Sequence, residues 1–140
     1  MKMVQATPAL PVKNVNKSID FYRDNLGFTL VHFEGGFAVL ECNNVQIHLW
    51  EAFDESWRTR SNSSPVISGA ESFIAGTASC RIEVEGVDEM YKRIQPLGIL
   101  HPKAKLNDQW WGVRDFAVSD PDNNLIAFFE KINRDKPREL

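Results

Sequence analysis

Apolar residues recur along this chain in two rhythms. Val15, Ile19, Tyr22 and Leu26 are spaced by four, three and four, which puts them on one face of a helix. Asn14 or Asn16 can cap its start, and Gly27 stands where a left-handed C-cap belongs. Around this helix the period is two. Residues 4–12 read as an extended segment, with Pro8 and Pro11 limiting ladder hydrogen bonds and pointing to a sheet edge. Residues 28–33, 37–42 and 45–50 read as strands joined by the turns Glu34-Gly35-Gly36 and Asn43-Asn44. In the third of these, Val45, Ile47 and Leu49 alternate with Gln46, His48 and Trp50, so one face packs and the other is open.

Residues 53–77 break the pattern, being rich in Ser, Gly and Asn, and a loop of that length in a compact domain is usually functional. The order then returns. Residues 80–85 alternate as a strand, and Asp88 opens a helix carrying Met90, Tyr91, Ile94 and Leu97. An irregular stretch, HPKAKLNDQ, precedes a strand over 111–118, a DPDNN turn and a last strand over 125–130. The charged tail 132–140 is expected to fray. Leu26-Gly27-Phe28 is echoed by Leu97-Gly98-Ile99, and Asn43-Asn44 by Asn123-Asn124. The chain thus reads as an α+β fold of two βαβββ modules, 4–52 and 78–131, in one domain of 140 residues. Each module leaves one sheet face uncovered by its helix, and two such faces brought together would make a ligand cleft.

Composition narrows the function. With 16 Lys+Arg against 19 Asp+Glu the chain carries a formal charge of −3, which argues against a nucleic-acid partner. No apolar run is long enough to span a membrane, the N-terminus does not read as a signal peptide, and Cys42 and Cys80 do not suggest a disulfide scaffold. The cytoplasm is the expected address. There is no GxSxG, GxGxxG or phosphate-loop pattern, so neither a serine nucleophile nor a nucleotide cofactor is indicated. The aromatics are more telling: there are four Trp and nine Phe, and three of the Trp lie in polar stretches.

The segment KSIDFYRDNLGF and the late DPDNN together resemble the vicinal oxygen chelate superfamily, which includes glyoxalase I, extradiol dioxygenases and bleomycin resistance proteins. Within it, GFAVLECNNVQIHLWEA, WRTRSNSSP, GTASCRIEVEG and WWGVRDFAVSDPDNN look most like the bleomycin-binding resistance proteins. The more telling motif, WG-x-R-[DE]-F-A, stands here as Trp111 to Ala117, and the likeness runs over residues 3–132. The implied fold is the glyoxalase/bleomycin-resistance fold. The implied function is non-catalytic sequestration of bleomycin-type glycopeptides, whether metal-free or metal-loaded. The alternative is a divergent metal-dependent lyase or thiol transferase. The relatives are dimers that exchange the N-terminal strand about a proline, and Pro8 matches that hinge.

Counting metal ligands separates the two readings. The positions that hold metal in the superfamily's enzymes fall here on Thr7, His48, Cys80 or Arg81, and Ala127. His48 is an ordinary ligand, Cys80 suits only a soft metal, and Arg81 and Ala127 offer no donor. The expectation is therefore no metal, no cofactor and no catalysis, with His48 a wall residue of the cleft. His32 and His101, without identified partners, read as surface residues.

A receptor for a large drug with an aromatic bithiazole and a cationic tail needs flat apolar faces and carboxylates. Strand alternation aims His48 and Trp50 at the cleft. The resemblance adds Phe37 and a stacking Trp111, with Phe33, Glu34, Trp57 and Trp110 nearby and Arg114 and Asp115 at the cleft and interface. Core packing is equally open to Phe33 and Phe37, and an exposed salt bridge to Arg114 and Asp115.

Overall fold

A computed structural model of the chain describes residues 1–52, 56–59, 61, 65 and 78–132. Most of the predicted loop 53–77 and the tail beyond Ile132 lie outside the described residues. The chain divides into two compact units, Met1–Ala78 with Asp120–Asn124, and Ser79–Ser119 with Leu125–Leu140.

The first unit contains β1 (Ala9–Val12), α1 (Val15–Leu26), β2 (Thr29–Glu34), β3 (Phe37–Cys42) and β4 (Val45–Glu51). Its sheet runs β1-β4-β3-β2, with β1 parallel to β4 and the others antiparallel. Helix α1 forms where the spacing places it. The Asn14 side chain accepts from Lys17 N at 3.0 Å, and Gly27, at φ 80°, closes the far end by donating to Arg23 O. Val15, Ile19, Tyr22 and Leu26 are all buried, as are Leu10, Val12, Ala38, Leu40, Ile47 and Leu49 from the sheet. Each of the Val, Leu and Ile side chains contributes roughly 1.5–3 kcal/mol by burial. Strand β1 starts at Ala9, not residue 4; Pro8 has no N–H to donate, although its carbonyl accepts from His48 N at 2.9 Å.

This unit also holds the DPDNN turn. The Asp120 carboxylate, buried, accepts from the Tyr22 hydroxyl, the Asn124 side chain and the backbone N–H groups of Asp122 and Asn124, each at 2.8 Å. Asn124 Nδ2 also donates to Pro11 O at 3.0 Å. Asn43 and Asn123 both adopt positive φ, 54° and 64°, so the echo between the two Asn-Asn pairs is a shared backbone conformation.

The second unit contains β5 (Ser79–Glu83), α2 (Val87–Ile94), β6 (Asn107–Asp108), β7 (Val113–Ser119) and β8 (Leu125–Lys131), ordered β5-β8-β7-β6 with β5 parallel to β8. Its core is Cys80, Ile82, Val87, Ile94, Phe116, Val118, Ile126 and Phe128. Helix α2 is shorter than predicted. Pro96 cannot continue an α-helix, so Gln95–Leu97 tighten into a 3-10 turn and Leu97 is exposed. The irregular stretch before β7 is a broken edge strand. Leu100 bridges Val118, Ala104 O accepts from Ala117 N, and only Asn107–Asp108 pair regularly.

Candidate functional site

Cross-strand register in the first unit assembles an open face opposite α1. Pro11, Trp50, Phe37 and Glu34 stand in one row across β1, β4, β3 and β2, and Ala9, His48, Val39 and His32 in the next. Phe37 packs edge-on against the His48 ring at 5.1 Å. His32 lies against the same Phe37 at 6.4 Å and 3.7 Å from the Glu34 carboxylate. Gln46 donates to Glu41 at 3.1 Å beyond His48. Glu34, Phe37, His48 and Trp50, expected from the sequence, thus share one face.

Phe33 does not join them. A bulge at Val31 shifts the register, pairing His32 with Val39 and Phe33 with buried Ala38. One extra residue turns every later side chain to the opposite face. Phe33 therefore sits on the helix side, and His32, exposed as expected, stands on the open face with Phe37 and Glu34 as partners. No Gly or Pro marks Val31, so alternation alone could not reveal this.

In the second unit the open face carries Arg81, Ala127 and Ala117 in one row and Glu83, Phe129 and Asp115 in the next. Asp115, 9% exposed, accepts from Gln109 Nε2 at 3.0 Å and lies 3.5 Å from the Arg81 guanidinium. Arg114 follows the strand alternation to the helix side. It donates to Asp88 of α2 at 2.6 Å and to Asp108 at 3.1 Å, and these acceptors hold its guanidinium above its ordinary pKa. Arg114 and Asp115 therefore cannot line one face together.

Trp110 and Trp111 occupy the middle of a turn closed by Gly112 N donating to Gln109 O at 3.1 Å. Gly112 at φ 93° completes it, in a conformation that side chains rarely adopt. The turn leaves Trp110 85% and Trp111 49% exposed, their rings edge-on at 5.6 Å. Trp57 lies in a 3-10 turn, Ser56–Arg58, and its side chain is outside the described residues.

The profile of the Glyoxalase/Bleomycin resistance protein/Dioxygenase superfamily matches residues 4–128. The chain belongs to this superfamily. Proteins called bleomycin resistance protein in Geobacillus stearothermophilus and Staphylococcus aureus are each 72% identical to it over 130 residues, covering 93% of this chain and 98% of theirs. Among solved structures, the bleomycin resistance determinant encoded on transposon Tn5 is similar with a TM-score of 0.64 and 22% identity, over 92% of this chain and 98% of that one. TioX from Micromonospora sp. ML1 is similar with a TM-score of 0.69 and 18% identity, over 93% of this chain and all of that one. Both structures share the superfamily fold.

The residues at the superfamily's metal positions do not fit a metal. Thr7 precedes β1, and Cys80 is buried on the helix side, where desolvation pushes its thiol pKa up and disfavours the thiolate. Arg81 and Ala127, opposite each other in register, present a cation and a methyl group. Among the described residues no three His, Cys, Asp or Glu side chains come together as a metal site, and no helix is long and apolar enough to cross a membrane.

Proposed function

We infer that this chain confers bleomycin resistance by binding the drug without transforming it. The observation that carries the reading is the cross-strand row Trp50, Phe37 and Glu34, two aromatic rings ending in a carboxylate. Rings of this kind stack on a heteroaromatic bithiazole for about 0.5–1.5 kcal/mol each beyond burial, and a carboxylate pairs with a cationic tail. The 72% identity to proteins named for bleomycin resistance supports the drug's identity. Among the described residues no metal site assembles, and the sequence carries no GxSxG nucleophile motif, which disfavours the lyase or transferase alternative.

The ligand contacts in this reading are Glu34, Phe37, His48, Trp50, Trp110, Trp111 and Asp115, with Trp57 a further candidate. Phe33 and Arg114 lie on the helix sides of their sheets, and Arg114 acts there through its ion pairs with Asp88 and Asp108. Sequestration takes place in the cytoplasm and keeps the drug from DNA. The working form is a homodimer that exchanges the segment ending at Pro8.

Titrating purified protein with metal-free and copper-loaded bleomycin in a calorimeter tests the central claim. Saturable binding at micromolar drug or below, followed by recovery of unaltered drug, is expected. Chemically changed drug, or no heat at micromolar concentration, defeats it. Sedimentation of wild type and Pro8→Ala tests the hinge: a shift toward monomer is expected, and an unchanged dimer with normal binding removes the role of Pro8.

A further inference from the structure

The open face of the second unit holds an arginine that the proposed contacts do not use. The Arg81 guanidinium lies over the Phe129 ring, 5.0 Å from its centroid, and 3.5 Å from buried Asp115, which Gln109 fixes from the other side. This holds the planar group in place. Its side chain is nevertheless 47% exposed. Beside it in the cross-strand row stand Ala127 and Ala117, both buried and both without polar side-chain atoms, so the donors of this row come from Arg81 alone. Among the described residues, none accepts a hydrogen bond from its five N–H donors; Asp115 is an ion-pair partner at longer range.

A flat, half-exposed fork of donors, held in orientation by Phe129 and Asp115, is suited to a planar acceptor. The neighbouring charges say which acceptor it takes. Asp115 and Glu83 lie on the same face, and Lys131 is paired with Glu83 at 3.5 Å. With Arg81 and Lys131 balanced by these two carboxylates, an incoming anion gains little and meets the Asp115 charge at close range. A neutral carbonyl meets no such cost.

We propose that Arg81 binds a neutral planar carbonyl of the ligand, of the amide or carbamate class, and thereby sets which ligands this face accepts. As applied to bleomycin, this rests on the function proposed above. Two measurements keep the ideas separable. In the first, bleomycin is titrated into wild type, Arg81→Met and Arg81→Lys at equal thermal stability. Affinity falls at least tenfold in both variants, because Lys keeps a charge beside Asp115 but has no planar fork. Unchanged affinity in Arg81→Lys overturns the proposal and leaves the sequestration reading intact.

The second measurement needs no drug. The Nε–H resonance of Arg81, assigned by its loss in Arg81→Lys, is followed by NMR against acetamide and against sodium acetate at matched ionic strength. Acetamide shifts it, acetate shifts it less, and the Nε–H of Arg114, already donated to Asp88, stays in place. A larger response to acetate, or none to acetamide, overturns the proposal. If the protein bound no bleomycin but Arg81 still answered acetamide, the drug would be wrong and the acceptor site would stand.

Discussion

The two units reach one strand order by different local means. Helix α1 runs twelve residues with a side-chain cap at Asn14 and a glycine stop. Helix α2 runs eight, begins after Gly86 without a side-chain cap of its own, and receives the Glu130 carboxylate from β8 on the N–H groups of Gly86 and Val87. The outer strand of the first sheet is six residues long and bulged; that of the second pairs regularly over two. The open faces differ as well, aromatic in the first unit and charge-balanced in the second. Topology is thus set by which faces must be buried, while caps, edges and exposed faces are free to diverge.

The largest expected effect tests whether the first unit depends on its buried carboxylate more than the second depends on its borrowed cap. Asp120→Ala strands four donors in or near the core and costs about 3–4 kcal/mol in urea denaturation. A loss below that expected for Glu130→Ala would reverse the comparison. Phe37→Ala, in the aromatic face, lowers bleomycin affinity about tenfold, the equivalent of roughly 1.4 kcal/mol, read by calorimetry. Removing the helix cap with Glu130→Ala costs about 1 kcal/mol and leaves drug affinity unchanged.

The smallest effect lies in the DPDNN turn. Burial, opposed by a backbone hydrogen bond and by the charges of Lys13 and Lys17, and reinforced by Asp120, raises the Asp122 pKa above its ordinary value. A folded-state value above the unfolded one means that stability present at low pH is lost as pH rises through the folded value. Asp122→Asn therefore stabilises the protein by a few tenths of a kcal/mol at neutral pH, and the gain fades below about pH 4. Thermal melts across pH check both the sign and the window.

Helix α1 and strands β3 and β4 were legible in the sequence because their burial follows a short-range period with marked ends. His48 and Trp50 came with them, since alternation decides their face, whereas Phe37 came from the family resemblance. The bulge at Val31 carries no residue signature, so the faces taken by Phe33 and His32 were not readable from the sequence. The edge strand before β7 was hidden because Pro102 and the turn after it interrupt any alternation. Arg81 as a donor site was invisible for a deeper reason: it depends on residues 81, 109, 115, 117, 127 and 129 meeting in register, which no local window contains. The ordering of Arg114 away from Asp115 was in principle readable, because neighbours on a strand diverge.

The tryptophan turn also makes the molecule its own optical probe. Two indoles 5.6 Å apart and nearly perpendicular share their excited states, and such coupling splits their far-ultraviolet circular dichroism into a paired band. A ring that settles on Trp111 and changes the angle or distance between the two indoles redraws that band. Occupancy of this turn can therefore be followed on unlabelled protein, separately from the fluorescence of all four tryptophans.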